Sequence, residues 1–162
     1  QVARSGLLRN KMASFQSDEQ RALARRINDF ALVQARQHYR FDRESDWAGD
    51  HWPTVKELLE TNGDDCDGLD LIAYQLLQEF GFSQQELYRA IVKRDRDGAN
   101  HMVTLWFESR DDPWVLDATG AVSMKMRKFS DLPGWTPTVV FNENEQFSVA
   151  ERPHGSFSLA RD

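Results

Sequence analysis

The feature that most constrains this chain is a change of hydrophobic period just after its middle. Cys66, Leu69, Ile72, Ala73, Leu76, Leu77 and Phe80 recur at steps of three and four. That is the stripe of an amphipathic helix, and it ends at Gly81. Beyond it, "LYRAIVKR", "HMVTLWFE", "PWVLDA" and "TPTVVF" are short runs rich in β-branched and aromatic residues, separated by "DRDGAN", "SRDD" and "GAV". Such runs read as strands. Helices first and strands afterwards imply an α+β domain in which the central helix packs on an antiparallel sheet.

Upstream, Ser17 can cap a helix and Gln20 completes a capping box, with Leu23, Ile27, Phe30, Ala31 and Gln34 following at helical spacing to about Tyr39. "FDRESDWAGDHW" reads as a polar, aromatic-bearing loop. Pro53 suits the first turn of a short helix through Leu59, and "TNGDD" breaks the chain. Residues 1–17 are weakly patterned and are expected to form a loose arm, with 18–162 as a single domain. A chain of 162 residues can bury one proper core.

Twenty Lys and Arg against twenty-six Asp and Glu give a net charge of −6. That argues against broad nucleic-acid or anionic-membrane binding. No apolar run reaches the length of a membrane span. The start, "QVARSGLLRNKM", lacks the apolar region of a signal peptide and reads as a processed or trimmed terminus. A single cysteine excludes an internal disulfide and leaves the redox compartment open.

That cysteine stands in "NGDDCDGLD", between carboxylates and at the start of the helical stripe. It is either a small core residue or a nucleophile at the mouth of a helix. The strands offer partners for the second reading. His101 opens one strand and Asp117 closes the next. A hairpin centred near Ser109 pairs residues whose numbers sum to about 218, which sets His101 opposite Asp117 and Val103 opposite Val115. Opposed residues share a face and lie within side-chain reach. If the helix packs on that face, Cys66, His101 and Asp117 converge. An imidazole can take the thiol proton, a carboxylate on the far ring nitrogen fixes the ring, and a helix N-terminus favours the anion. A small buried thiol and a structural histidine satisfy the same pattern, so both readings stand at this point.

Three acids surround the thiol. Asp64, Asp65 and Asp67 disfavour a thiolate, while Asp65 can cap the helix and Asp67 sits well against its dipole. An EF-hand is excluded, since a loop with Gly68 at its sixth position would end at Tyr74. His38, His51 and His154 are scattered, so they suggest no zinc set. Trp52 lies ahead of the nucleophile, where its indole N–H can serve as a donor near the thiol or its ring can simply pack. "DRDGAN" is a strand connection with Gly98 at its turn, and because it leads into His101 it can also edge a substrate groove.

The order of these pieces resembles the transglutaminase-like cysteine peptidases of bacteria. The likeness rests on "NGDDCDGLDLIAYQLLQEFGF", "GANHMVTLWFE" and "PWVLDATG", with "INDFALVQARQHYRFDRESDWAGDHWPTVKELLE" upstream, and covers roughly residues 20–142. The resemblance implies a papain/transglutaminase-like fold with Cys66 as nucleophile, His101 as base and Asp117 as orienting acid. It also implies calcium held by Asp65 and Asp67, a periplasmic setting, and a protein substrate such as a surface adhesin. The family usually places Glu and then Asp after the cysteine, where this chain has Asp67 and Gly68.

Three functions stand open on the residues and the resemblance together, and the resemblance favours the first in its hydrolytic form. The first is peptide hydrolysis through a thioester on Cys66, with transglutaminase-type transfer as the same chemistry with an amine in place of water. The second is a non-catalytic domain that binds a peptide or partner. The third is a structural domain whose acids bind calcium for stability alone.

Overall fold

In a computed structural model of the chain, the described residues are 2–40 and 52–149, with side chains from residue 6 onward. They form three α-helices: α1 (Val2–His38), α2 (Val55–Thr61) and α3 (Cys66–Glu79). Six strands follow: β1 (Leu87–Arg94), β2 (Asn100–Trp106), β3 (Trp114–Leu116), β4 (Arg127–Lys128), β5 (Trp135–Phe141) and β6 (Gln146–Ser148). The strands pair antiparallel in the order β4-β3-β2-β1-β5-β6. The expected α+β arrangement, with helices preceding an antiparallel sheet, is the one observed.

The central helix forms for the reasons its pattern gives. Asp65 sits outside it as N-cap and its carboxylate accepts the Asp67 N–H. Leu69, Ala73, Tyr74 and Leu77 point inward and join Leu87, Trp106 and Leu116 of the sheet with Ala24, Ile27, Ala31 and Ala35 of α1. Each fully buried leucine among them contributes about 1.5–3 kcal/mol. The helix stops at Phe80, where Gly81 takes a φ of 84° that favours glycine. Phe80, placed by its spacing on the buried stripe, is 58% exposed because it lies past the last helical turn.

Strand alternation divides the sheet into two faces. In β1 and β2, Leu87 and Trp106 belong to the core under α3, whereas Tyr88, Ala90, Val103 and Leu105 belong to a second core with Phe129, Val140 and Phe147. Thr104 faces the helix as well, since its hydroxyl donates to Asp70 of α3 at 2.7 Å.

Three expectations need correction. The helix predicted from Ser17 begins at Val2, so the arm expected to be loose is helical and continuous with it. Phe30 is 48% exposed, because the buried side of α1 runs through Ala24, Ile27, Ala31 and Ala35 and leaves Phe30 outside. The short helix is capped by Thr54, in a capping box with Glu57, so Pro53 precedes the cap and does not stand in the first turn. Most of the loop expected over residues 41–52, together with His51 and His154, lies outside the described residues.

Candidate active site

The turn before α3 is held from both sides. Asp64 N–H donates to the His38 carbonyl at 3.2 Å, and Arg40 N–H donates to the Asp64 carbonyl at 2.9 Å. This short parallel bridge fastens the end of α1 to the residues that lead into Cys66. Gly63 adopts a φ of 149°, and a Cβ there would collide with the His38 carbonyl oxygen. His38 donates from Nδ1 to the Asn62 carbonyl at 3.2 Å, a structural contact in the same turn. Cys66 follows as the first helical residue, half-buried.

His101 and Asp117 meet, but not by the register expected. Residues of β2 and β3 pair as Thr104–Leu116, Leu105–Val115 and Trp106–Trp114, so facing numbers sum to 220. The connection is thus centred on Arg110, one residue later than expected. A slip of two preserves the face of every side chain, so Asp117 becomes the diagonal neighbour of His101 and stays within reach. His101 Nε2 lies 2.9 Å from Asp117 Oδ1. An ionised carboxylate only accepts, so Nε2 carries the hydrogen. Cys66 lies close enough to the ring to raise its pKa as well, and with Nε2 committed to Asp117 the nitrogen left to face a thiol is Nδ1.

The condition set for this meeting was that α3 covers the face carrying His101 and Asp117. By alternation those residues instead go with Val103, Leu105 and Val115 on the other face. His101, Asp117 and Cys66 all lie at element ends. His101 is the second residue of β2, Asp117 follows the last residue of β3, and Cys66 opens α3.

Asp117 is 1% exposed and densely held. Its Oδ1 accepts from Thr119 N and Gly120 N, each at 3.0 Å, and from the Thr119 hydroxyl at 3.2 Å. Its Oδ2 accepts from Val122 N at 2.6 Å and Ser123 N at 3.2 Å. Its own N–H donates to Asn28 of α1 at 3.0 Å. Burial works to raise its pKa, yet His101 and these N–H groups outweigh burial and hold it below the usual carboxylate value. For His101, burial pulls the pKa down, while the hydrogen bond to Asp117 and the nearby Cys66 raise it, to about 10. The site therefore favours an imidazolium. Trp135 lies against the same ring, with centroids 6.0 Å apart.

The acids form a second group at the helix mouth. Asp64, Asp65 and Asp67 each present a carboxylate oxygen, all within 4.8 Å of one another. Asp64 is an addition to the pair expected. Its signal in the sequence is Gly68, where a Cβ would collide with the Asp64 carboxylate and meet its Cγ at 2.7 Å. Burial first, then hydrogen bonding and repulsion from Asp65, raises the Asp67 pKa to about 8. Three hard oxygen donors drawn this close together fit a divalent cation such as Ca²⁺.

Behind them lies a group that sequence reasoning missed. Asp70 is fully buried, accepting from Arg89 Nε at 2.8 Å and from Thr104. Arg89 also donates to the Asp67 carbonyl at 2.6 Å, tying the first turn of α3 to β1. Trp52, offered as an oxyanion or groove residue, stacks on Phe141 with centroids 5.0 Å apart, a packing contact.

An α+β domain that sets a helix-initiating cysteine near a buried histidine–carboxylate pair brings together the groups that thiol chemistry uses. No family model matches the chain, and no curated protein does. Among solved structures it is similar to Legionella pneumophila LapG, at 22% identity and a TM-score of 0.63, over 75% of this chain and 67% of that one. The calcium-bound form of LapG matches at 23% identity and a TM-score of 0.64, over 82% and 73% of the two chains. The EGTA-treated form matches at 23% identity and a TM-score of 0.66, over 80% and 67%. At such identities the likeness establishes a shared fold.

Proposed function

We propose that the protein is a cysteine peptidase of transglutaminase-like fold that hydrolyses peptide bonds in a protein substrate. The observation that carries this reading is the His101 ring, bonded to Asp117 through Nε2 and near enough to Cys66 for the thiol to raise its pKa. The Cys66 proton passes to His101 Nδ1, leaving a thiolate beside an imidazolium. The thiolate attacks the scissile carbonyl carbon, and the carbonyl electron pair moves to oxygen near the positive end of the α3 dipole. The oxyanion collapses, the C–N bond breaks, and the imidazolium gives its proton to the departing amine. A thioester remains on Cys66. His101 then takes a proton from water, whose oxygen attacks the thioester. The C–S bond breaks, releasing a carboxylic acid and restoring the thiol. Asp117 keeps the ring oriented and stabilises its charge throughout. With an amine in place of water the same steps give transamidation; the family resemblance favours hydrolysis.

Asp64, Asp65 and Asp67 are assigned to calcium, whose charge would offset three carboxylates that otherwise oppose a thiolate. The likeness to a fold solved both as calcium-bound LapG and after EGTA treatment supports that assignment. The resemblance further supports a periplasmic protease whose substrate is a surface adhesin.

The test is alkylation of Cys66 by iodoacetamide across pH. Fast labelling near neutrality that slows at least tenfold in His101→Ala supports the reading. A thiol that is inert in the native protein, or a Cys66→Ala protein that still cleaves peptides, overturns it.

A further inference from the structure

We propose that the cavity beside His101 is a substrate subsite for an acidic side chain, with Arg96 as the cation that receives it. The inference rests on reading the Cys66 site as a peptidase and adds a substrate preference to it.

The cavity, of about 520 Å³, lies between the β1–β2 turn and the start of β5, with Arg94, Asp95, Arg96, Ala121, Gly134 and Trp135 in its walls. It adjoins the chemistry on two sides. Trp135 is the residue whose ring packs 6.0 Å from that of His101. Ala121 belongs to the segment whose neighbours Gly120 and Val122 donate to Asp117. A peptide lying across the Cys66 sulfur and the imidazole therefore has this hollow next to it.

The walls are already fixed. Arg94 donates to Asp97 from Nε at 2.8 Å and from Nη2 at 2.7 Å, and its guanidinium lies 5.6 Å over the Trp135 ring. Asp95 N–H donates to the Gly134 carbonyl at 3.0 Å, and the Thr136 hydroxyl donates to the Asp95 carboxylate at 2.8 Å. Arg96 is held far less. Its side chain is 75% exposed, and its contact with Asp97 is 3.5 Å from Nε. The cavity walls carry two guanidiniums and one carboxylate in a chain of net charge −6. Asp97 is taken up by the bidentate pair with Arg94, so Arg96 is the guanidinium of the lining with the most donors left for a ligand. A guanidinium presents a planar fork of N–H donors matched to a carboxylate, so Asp or Glu is the side chain it selects.

The experiment profiles a pool of synthetic peptides by mass spectrometry with the wild-type protein and with Arg96→Glu. In parallel, binding of matched Glu- and Gln-containing peptides to Cys66→Ala and to Cys66→Ala/Arg96→Glu is measured by titration, which needs no turnover. Expected are an enrichment of Asp or Glu at one position within about three residues of the cut, and a reversal toward Lys or Arg in Arg96→Glu. An exposed ion pair supports a preference of about 1.5- to fivefold, in cleavage and in binding alike. Cleavage by wild type with no acidic preference, or with a profile that Arg96→Glu leaves unchanged, overturns the subsite and leaves the peptidase reading standing. Peptides that are not cleaved yet bind Cys66→Ala with a Glu preference lost in the double variant overturn the peptidase reading and support the subsite. Absence of both cleavage and Glu-selective binding overturns both.

Discussion

Asp117 lies diagonally across the β2–β3 pair from His101, and the two side chains are joined at 2.9 Å. The diagonal places Asp117 one residue past the last ladder pair, where the backbone is free to turn around its carboxylate. An amide at this position keeps the size but brings an NH₂ toward N–H donors. Asp117→Asn should therefore lower peptide cleavage by about 10³-fold or more at pH 7, as when the acid of such an arrangement is lost elsewhere. Steady-state kinetics on a cleaved peptide check it. A loss under tenfold in a folded protein would remove Asp117 from the mechanism.

The raised pKa of His101 has a consequence for stability. Burial opposes the charged ring, but the bond to Asp117 and the nearby Cys66 prevail and lift its pKa from 6.5 to about 10. The folded protein then binds this proton more tightly than the unfolded chain. The stabilisation is complete below about pH 6.5 and is lost as pH rises through about 10. Urea unfolding of wild type and His101→Ala between pH 6 and pH 10 measures it. The stability gap between them should narrow with rising pH, and a gap that widens contradicts the assignment.

Calcium should stabilise the fold through the acids at the helix mouth. A ligand at 100 times its Kd adds about 2.7 kcal/mol, which for a domain of this size raises Tm by about 5–10 °C. Asp67→Asn should abolish most of that rise. Gly68→Ala should reduce it too, because its new Cβ displaces the Asp64 carboxylate. Thermal unfolding with calcium or with EGTA decides the matter. A Tm indifferent to both is the outcome that ends the proposal.

The Asp70–Arg89 pair is buried on both sides, with side chains 0% and 9% exposed. Removing one partner strands the other charge in the core. Arg89→Leu should cost about 3–5 kcal/mol in urea unfolding. It also frees the Asp67 carbonyl, so the calcium response should weaken alongside stability.

Much of this was legible from period and spacing. β1 coincides with "LYRAIVKR", and α3 with the stripe that begins at Cys66. β4 and β6, of two and three residues, escaped because neither stands in a run rich in β-branched and aromatic residues, as the equally short β3 does in "PWVLDA". The hairpin register was misjudged by two because the β2–β3 connection is centred on Arg110 and not near Ser109. Its parity was right, so His101 and Asp117 were still matched. Asp64 and Asp70 were less readable. Asp64 acts through space vacated by Gly68, four residues later, and Asp70 resembles an ordinary polar residue between apolar neighbours. Its position four after Cys66, on the same helix face, was the available sign.

The carboxylate that steers the imidazole is gripped chiefly by main-chain amides of residues 119, 120, 122 and 123. Amides are supplied by nearly every amino acid, so this stretch is free to diverge in spelling while its path endures. What it cannot accept is a proline at any of those four places, a one-residue insertion, or loss of the glycine at 120 with its φ of 79°. Distant kin of this protein are thus better sought by the length and turn of that segment than by its letters.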